Sequence, residues 1–289
     1  VGSQENIGLD KQSLNGSIQY QWNPRENRRW TLSLMDVEFV NNKNEANYFG
    51  VYNNAYGELN QIATSTNTNP NYLVNERLII PQGTASFIGD VLDGSTSILA
   101  SDPSYQRVQR IEERRRRLTQ NNLIISSGIN FFSSSKQGIF DREFTQFRAN
   151  LSWSGNLLKS LAKSFNWIQE NGQYLLFEVP FSQFIKLETD FVKHWSVSEN
   201  QVVAIRAFAG AAIPYGNADN IPFNRSFFGG GAYDNRAWEV YRLGPGSSDT
   251  GNEFNEANLK MSFNAEYRFD LIGAFKGALF IDAGNIWNV

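Results

Sequence analysis

The sequence predicts an all-β fold: a transmembrane, antiparallel, up-and-down β-barrel of which this chain holds about eight strands. Three observations support this prediction. Segments of about 10 residues alternate between apolar and polar positions, as in a strand with one apolar and one wet face. Short and long connections between these segments also alternate along the chain. Finally, 14% of the 289 residues are aromatic, a residue class that favours strands.

The alternation is clearest in the first segment and in the penultimate one. In the first segment, Leu14, Ile18, Tyr20 and Trp22 share one face, and polar residues occupy the other face. Over 258–270, apolar residues such as Met261, Phe263 and Tyr267 alternate with charged and polar ones. Further runs of this kind lie at 29–39, 121–133, 142–155, 180–193, 199–213 and 275–287. A period of two fits strands and excludes helices.

The connections between the predicted strands run short, long, short, long, short, long, short. Tight turns are expected at 23–27, 134–141, 194–198 and 271–274, and long loops at about 40–120, 156–179 and 214–257. Up-and-down barrels of outer membranes have short periplasmic turns and long outer loops. We therefore expect residues 1–289 to form a partial transmembrane β-barrel domain whose three long loops face outward.

The hydropathy of the chain allows a membrane-spanning barrel. Mean hydropathy is −0.42, and no apolar run approaches the ~18 residues of a membrane helix. A transmembrane strand needs apolar residues only at every second position, so a barrel with a wet interior is hydrophilic on average. The alternative is a soluble β-sandwich or barrel, whose strands also alternate. Apolar faces rich in large aromatics, and long loops at one end only, favour the membrane barrel.

Composition excludes several kinds of function. The chain has no cysteine, so it can form neither disulfides nor thiolate metal sites, and the single histidine, His194, excludes a multi-histidine site. The net charge of −3 gives no electrostatic support for a nucleic-acid partner. No nucleophile-elbow spacing occurs. We expect no enzyme activity, no catalytic residues, no metal and no cofactor.

The predicted loop at 40–120 contains two segments of distinct composition. Residues 105–118 are rich in Arg and Glu and predict a helix, whereas 60–71 predict a flexible polar loop. A charge run of this kind usually forms a solvated face. The alternative is that its arginines contact lipopolysaccharide phosphates, because arginine binds phosphate well and this loop would be outermost.

The densest cluster of unusual residues lies at 225–246, with the sequence RSFFGGGAYDNRAWEVYRLGPG. The glycines Gly229, Gly230 and Gly231 allow sharp or left-handed backbone, and Gly244-Pro245 marks another turn. Between these two features lie Arg236, Ala237 and Trp238. From the residues alone, a surface loop with turn residues explains the segment. The glycine spacing matches neither the Walker nor the dinucleotide-binding motif.

The same segment, followed by an alternating strand and by ALFIDAGNIW, resembles the BamA/TamA family of outer-membrane assembly barrels, the bacterial surface-antigen type. That family has an aromatic–Gly-Gly lead-in, an arginine-centred motif usually written Val-Arg-Gly-(Phe/Tyr), and then Leu-Gly-Pro. Here the motif reads Asn235-Arg236-Ala237-Trp238, which keeps the arginine and the aromatic residue. Together with VGSQENIGLDKQSLNGSIQYQW and ERRRRLTQNNLI, this variant is most similar to the TamA-like (TamL) branch of Bacteroidetes-type bacteria.

The resemblance implies a role for the motif arginine. In the family, the loop that carries it folds back into the barrel, and the arginine pairs with acidic residues on the wall. By motif position these are Arg236, Glu266 and Asp282. The alternation independently places both carboxylates on the polar faces of neighbouring strands, and one guanidinium can bridge two carboxylates. The alternative is that these charges meet only water.

The resemblance also implies a barrel of about sixteen strands, preceded by periplasmic POTRA domains. We expect this chain to lack those domains and the terminal barrel strands. The implied function is an assembly or translocation factor, integral to the bacterial outer membrane, that helps insert or export β-barrel or surface proteins. Its expected partners are outer-membrane lipids, lipopolysaccharide, client outer-membrane proteins and periplasmic or inner-membrane assembly partners, with no nucleic acid. The alternatives are a passive channel or porin and a structural subunit of a surface complex.

Overall fold

The computed structural model describes residues 2–6, 9–42, 45–66, 69–170, 172–247 and 255–288. Its main element is an antiparallel sheet of nine strands whose spatial order follows the chain. These strands are β1 (Gly2–Asn6), β2 (Leu9–Arg25), β3 (Arg28–Asn42), β4 (Asn122–Ser134), β5 (Phe144–Ser154), β6 (Phe184–Ser198), β7 (Gln201–Pro214), β8 (Leu259–Asp270) and β9 (Lys276–Trp287). Over the described residues the sheet is open, with β1 and β9 at its ends.

Eight of these strands, β2 to β9, lie where the alternation predicts them, which confirms the predicted fold class. The ninth, β1, was not predicted, because GSQEN carries no apolar alternation. It pairs with the first residues of β2, from Gly2 opposite Ser13 to Asn6 opposite Leu9. Backbone hydrogen bonds are thus enough to add this strand without an apolar face.

The two faces of the sheet differ in chemistry. Residues directly opposite each other on paired strands point to the same face, and the registers from β4 to β9 pair even-numbered positions with even-numbered ones. We call the even-numbered face the inner face and the other the outer face. The outer face exposes large apolar side chains, among them Leu187, Phe263, Leu279 and Ile281. Exposed apolar residues in such density are typical of the outer face of a transmembrane β-barrel.

The connections alternate in length, as the sequence predicts. The short ones are 26–27, 135–143, 199–200 and 271–275, and the long ones are 43–121, 155–183 and 215–258. Residues 43–44, 67–68, 171 and 248–254 of the long loops lie outside the described residues. The predicted turn at 23–27 starts too early, because Pro24 belongs to β2. The predicted turn at 194–198 is wrong, because β6 continues to Ser198 and the turn is formed by residues 199–200. Strand pairing continues beyond the last residues that clearly alternate, because backbone hydrogen bonds form the pairs and do not require apolar side chains.

The described residues of 2–14 and 39–122 form one compact unit. It contains the helices α1 (Tyr48–Val51), α2 (Asn53–Ser65), α3 (Gln82–Leu92) and α4 (Pro103–Thr119), and a hairpin of Leu73–Val74 with Arg77–Leu78. Its buried side chains include Tyr48, Tyr52, Leu59, Phe87, Val91 and Val108. Helix α4 confirms the helix predicted at 105–118. The predicted loop at 60–71 is wrong for 60–65, which belong to α2 and bury Ile62 and Ala63.

No helix within the described part of the chain is long and apolar enough to cross a membrane.

Residues 15–38, 123–250 and 254–289 form the second unit. Its segment 155–183 contains helix α5 (Asn156–Ser164) and the short strands Gln169–Glu170, Gln173–Leu176 and Val179–Pro180. The described residues of its segment 215–258 contain a 3-10 turn at Phe223–Arg225 and otherwise irregular backbone. The core of this unit joins Ile124, Phe184, Ala212 and Ile286 of the strands to Ile221, Phe227 and Ala257 of segment 215–258. Since these four strand positions are even-numbered, segment 215–258 packs on the inner face.

Candidate functional site

The candidate site is segment 215–258, which we call the inner loop. Phe227 and Ala257 exchange backbone hydrogen bonds of 2.8 and 2.9 Å, and Gly229 forms a β-bridge with Leu243. These contacts join the chain segments that precede and follow the arginine motif. Gly230 and Gly231 have φ of 96° and 101°. A Cβ at Gly230 would lie 2.2 Å from the Glu239 carbonyl oxygen, so this tight chain reversal requires glycine.

Arg236 reaches the wall formed by β8 and β9. Its Nε donates to Asp282 Oδ2 at 2.8 Å and its Nη2 to Asp282 Oδ1 at 2.7 Å, while Nη1 donates to Glu266 Oε2 at 2.6 Å. The backbone N–H of Arg236 also donates to Asp282 Oδ2, at 3.1 Å. The structure thus brings Arg236, Glu266 and Asp282 together on the inner face.

The surroundings of Arg236 limit its movement. Its guanidinium carbon lies 3.7 Å from the centre of the Phe280 ring, which is a cation–π contact. Asn264 donates to Asp282 Oδ1 at 2.9 Å, and Arg268 donates to the second oxygen of Glu266. Hydrogen bonds from the arginine to Asp282 raise the pKa of Arg236 above its ordinary value, so it carries a charge at every physiological pH. A cation held between two carboxylates and a ring is a firm anchor for the loop.

A second set of contacts holds the residues just before the arginine. Lys260 of β8 donates to Asp234 Oδ2 at 2.9 Å and to the Phe228 carbonyl oxygen at 2.8 Å. The Gly230 N–H donates to the same Asp234 oxygen at 2.8 Å, and Asn264 donates to the Asp234 carbonyl oxygen at 2.7 Å. The loop backbone around the motif is therefore positioned by side chains of the wall.

Strand β7 adds another contact to this part of the loop. Arg206 forms a two-pronged ion pair with Asp190 of β6, at 2.9 and 3.0 Å, and its Nη1 donates to the Tyr233 carbonyl oxygen at 2.7 Å. Four consecutive strands, β6 to β9, thus take part in holding residues 233–236.

The remaining motif residues have different surroundings. Gly244 has a φ of 76°, and a Cβ there would lie 2.5 Å from Asn285 Oδ1. After Pro245, the Gly246 N–H donates to the Ile286 carbonyl oxygen at 2.8 Å, which docks this turn on the end of β9. Ala237 and Trp238 are exposed. The Trp238 carbonyl oxygen accepts a hydrogen bond from the Gly231 N–H at 2.8 Å, so its backbone supports the glycine turn.

The structure also reveals an anchor that the sequence reasoning missed. Arg225 Nη2 lies 3.0 Å from Glu38 Oε2 and 3.4 Å from Asp36 Oδ2, and Asn224 donates to the other Glu38 oxygen. Asp36 and Glu38 are on β3, which is separated from β7 by three strands in the sheet order. Their spacing of two residues is the available signal, since it places both carboxylates on one face. The inner loop therefore crosses the inner face between β3 and the β8–β9 wall.

These contacts do not resemble a metal centre. Within the described ranges, no group of three or more His, Asp or Glu side chains could hold a metal ion. Each carboxylate of the arginine site is instead engaged by arginine or asparagine. The arrangement can position a loop on a barrel wall by charge and hydrogen bonding.

Comparison with known proteins identifies the family. Residues 2–289 match the sequence profile of the Omp85 superfamily domain. The chain belongs to the Omp85 superfamily. Omp85 proteins with this β-barrel are integral to the outer membrane, and this chain is an integral outer-membrane protein.

Two BamA proteins are similar to this Omp85 chain. It is 36% identical over 89 residues to the outer membrane protein assembly factor BamA of Neisseria meningitidis serogroup B (strain ATCC BAA-335 / MC58). The matched region covers 27% of this chain and 11% of that protein. The crystal structure of BamA from Haemophilus ducreyi lacking POTRA domains 1–3 superimposes with a TM-score of 0.53 at 10% sequence identity. This match covers 97% of the chain and 42% of that structure, and it shows a shared barrel fold. The chain therefore spans less than half the length of these BamA proteins.

Proposed function

We propose that this Omp85 chain is part of an outer-membrane assembly or translocation factor that helps insert or export β-barrel or surface proteins. We assign it to the TamA-like (TamL) branch of Bacteroidetes-type bacteria on the motif Asn235-Arg236-Ala237-Trp238. One observation carries the proposal: the inner loop is fixed to the wall through Arg236, Glu266 and Asp282. The relative from Neisseria, whose name states an assembly role, supports it.

The geometry suggests how such a factor works without enzyme chemistry. The inner loop connects strands that are distant in the sheet order. Its Arg225 contacts β3, and its Arg236 contacts β8 and β9. A wall braced in this way keeps its shape while other strands of the complete barrel separate. A client strand can then pair with a free strand edge there, since an exposed edge offers unpaired backbone donors and acceptors.

The complete protein, in this proposal, has about sixteen strands with long loops facing outward and POTRA domains on the periplasmic side. Its partners are client outer-membrane proteins, periplasmic or inner-membrane assembly partners, and outer-membrane lipids. Lipopolysaccharide receives weaker support, because Arg115 and Arg116 of α4 are hydrogen-bonded to Glu112 and Arg107 lies 3.8 Å from Glu58. Arg110 is exposed on the same helix and supports this partner.

Complementation tests this function. A strain depleted of the full-length protein receives wild-type protein, Arg236→Ala or the control Arg242→Ala, and the folded fraction of its outer-membrane proteins is measured by heat-modifiability on gels. Assembly predicts that Arg236→Ala lowers the folded fraction of clients, whereas Arg242→Ala restores it. Conductance of the purified variants is measured in planar bilayers in parallel. Wild-type client folding together with altered ion selectivity in Arg236→Ala would establish a passive channel and overturn the proposal.

A further inference from the structure

Segment 155–183 exposes a set of large apolar side chains that do not belong to any strand of the barrel wall. Leu157 of α5 is 65% exposed, Phe165 at its C-terminal end is 69% exposed, and Ile168 and Phe177 are 75% and 83% exposed. Leu157, the half-buried Leu161 and Phe165 are spaced four residues apart, so they form one stripe along the helix. We call Leu157, Leu161 and Phe165 the apolar stripe.

The apolar stripe is distinct from the face that holds α5 in the fold. Leu158 and Ala162 are the buried residues of the helix. A third face carries Asn156, whose Oδ1 accepts hydrogen bonds from Gln183 at 2.9 Å and from Tyr215 at 2.7 Å. Lys159 on that same face lies 5.9 Å from the Tyr174 ring. With 3.6 residues per turn, Leu161 projects about 160° away from Lys159.

This direction has a structural meaning, because Tyr215 is the first residue of the inner loop. The side of α5 that carries Asn156 and Lys159 therefore turns toward the inner loop and the 173–183 hairpin. The apolar stripe turns away from both.

The outer face reaches the start of α5 without interruption. Trp153, an odd-numbered residue of β5, is separated from Leu157 by only three residues. It lies opposite Ile185 of β6, which in turn lies opposite Ile213 of β7. Ile185 and Ile213 are both exposed. Trp153, Ile185 and Ile213 are the lipid-facing residues of their strands nearest to the long loops. The apolar stripe continues this row of apolar side chains beyond the ends of the strands.

The charge of α5 also suits a membrane surface. Its sequence, NLLKSLAKS, contains two lysines and no acidic residue. An interfacial helix combines an apolar face with basic residues on its polar side, and its apolar face enters the boundary between headgroups and acyl chains. Anionic headgroups attract such lysines.

We propose that the apolar stripe of segment 155–183 docks on the lipid leaflet at the long-loop end of the barrel, as an interfacial helix that extends the lipid-facing band. The occupant is the membrane surface itself. The contact would fix the height of the barrel in the bilayer and the position of the adjoining inner loop, through the hydrogen bond between Tyr215 and Asn156.

Site-directed fluorescence in lipid vesicles tests this docking. The chain has no cysteine, so single-cysteine variants of the full-length protein can be labelled with NBD, after any cysteine outside this chain is replaced by serine. The test positions are Leu157→Cys and Phe165→Cys. Leu187→Cys on the outer face of β6 is the control for lipid, and Asn220→Cys, an exposed residue of the inner loop, is the control for water. The vesicles contain phosphatidylcholine with a minority of phosphatidylglycerol.

Lipids that carry a nitroxide near the headgroup should quench the labels at Leu157 and Phe165 several-fold more strongly than the label at Asn220. A helix buried about 5–10 Å below the surface should respond to a shallow nitroxide more than to a deep one, and Leu187→Cys verifies that the barrel has inserted. Quenching at both stripe positions no greater than at Asn220, with equal access to aqueous iodide, would overturn the proposal. Protection from both nitroxide and iodide would also overturn it, because a protein segment would then cover the stripe.

Discussion

Arg236 and Asp282 are joined by three hydrogen bonds. Nε and Nη2 of the guanidinium donate to the two carboxylate oxygens at 2.8 and 2.7 Å, and the Arg236 backbone N–H donates at 3.1 Å. The side chain of Asp282 is 6% exposed, whereas that of Arg236 is 23% exposed. The carboxylate is thus the more deeply buried partner. Without the arginine side chain it would lose two of its donors in a place that water reaches poorly.

Replacement of Arg236 should therefore destabilise the protein. Removal of one partner from a buried charge pair costs about 3–5 kcal/mol, and we expect Arg236→Ala to cost about 2–3 kcal/mol because the arginine retains some contact with water. Arg236→Lys should recover less than half of this loss, since an ammonium group cannot make the two-pronged contact. Urea unfolding of the detergent-solubilised, full-length protein, followed by tryptophan fluorescence, measures both changes.

Arg242→Ala is the matched control for this experiment. Arg242 lies in the same loop and pairs at 3.7 Å with Glu239, whose side chain is 84% exposed. Exposed pairs of this kind contribute about 0–1 kcal/mol. If Arg236→Ala and Arg242→Ala unfold at the same urea concentration, Arg236 does not anchor the loop.

The contact between Arg225 and Glu38 predicts a measurable coupling between the inner loop and β3. A double-mutant cycle of Arg225→Ala and Glu38→Ala should give a coupling free energy of about 1 kcal/mol, because the two groups are in contact and only partly exposed. The same urea midpoints supply the values. A cycle of Arg225→Ala with Glu143→Ala should be additive, since Glu143 lies in the short connection 135–143 and pairs with Lys193. Additivity in both cycles would show that the contact between Arg225 and Glu38 contributes no coupling free energy.

The glycine turn predicts a selective effect of added side chains. Gly230→Ala should destabilise the protein by roughly 1–3 kcal/mol, because alanine disfavours a φ of 96° and its Cβ would lie 2.2 Å from the Glu239 carbonyl oxygen. The change should also expose the inner loop to trypsin, since the Gly230 N–H helps to hold Asp234. Gly57→Ala in α2, where no atom lies within 4 Å of a new Cβ, should be neutral or stabilise by about 0.5–1 kcal/mol. Wild-type stability and trypsin resistance of Gly230→Ala would contradict the prediction.

The sequence predicts the parts of this structure that follow a strict period. Alternation locates β2 to β9, and the same parity places Glu266 and Asp282 on one face before any coordinates are known. It cannot predict the path of the inner loop. Arg225 and Glu38 are 187 residues apart in sequence, and the inner loop that carries Arg225 has no periodic pattern to indicate which strand it will meet. Contacts of this kind depend on where the whole sheet places its strands.

The helical unit shows a second limit of the sequence. Residues 60–65 are mostly polar and resemble a loop, yet they continue α2 because Leu59, Ile62 and Ala63 pack into the buried core of the unit. Tertiary packing overrides weak local propensity here. Helix α4 is easier to predict, since its Arg and Glu residues are strong helix formers and occur without interruption.

Helix α4 also predicts how the stability of its unit depends on pH. Glu112 is almost fully buried and accepts hydrogen bonds of 2.7 and 2.8 Å from Arg115 and of 2.8 Å from Arg116. Burial opposes ionisation of this carboxyl group, but the hydrogen bonds from Arg115 and Arg116 outweigh burial and hold the pKa of Glu112 below its ordinary value. Since the folded-state pKa is lowered, the stabilisation is complete above the unfolded-state pKa of about 4.3. It is lost as the pH falls from there through the folded-state pKa.

Hydrogen exchange of peptides from 103–119, measured by mass spectrometry on the full-length protein, tests this dependence. After correction for intrinsic exchange rates, protection should be constant from neutral pH down to about pH 5 and should decrease below about pH 4.3. Glu112→Gln should lower protection at neutral pH, because a neutral amide attracts both arginines less, and should flatten the acid decrease. Glu113→Gln is the control, since Glu113 is exposed and accepts a hydrogen bond from Gln109, a neutral side chain, at 3.1 Å. An unchanged acid decrease in Glu112→Gln would assign the pH dependence to other carboxylates, because the ion pairs of Glu112 are absent from that variant.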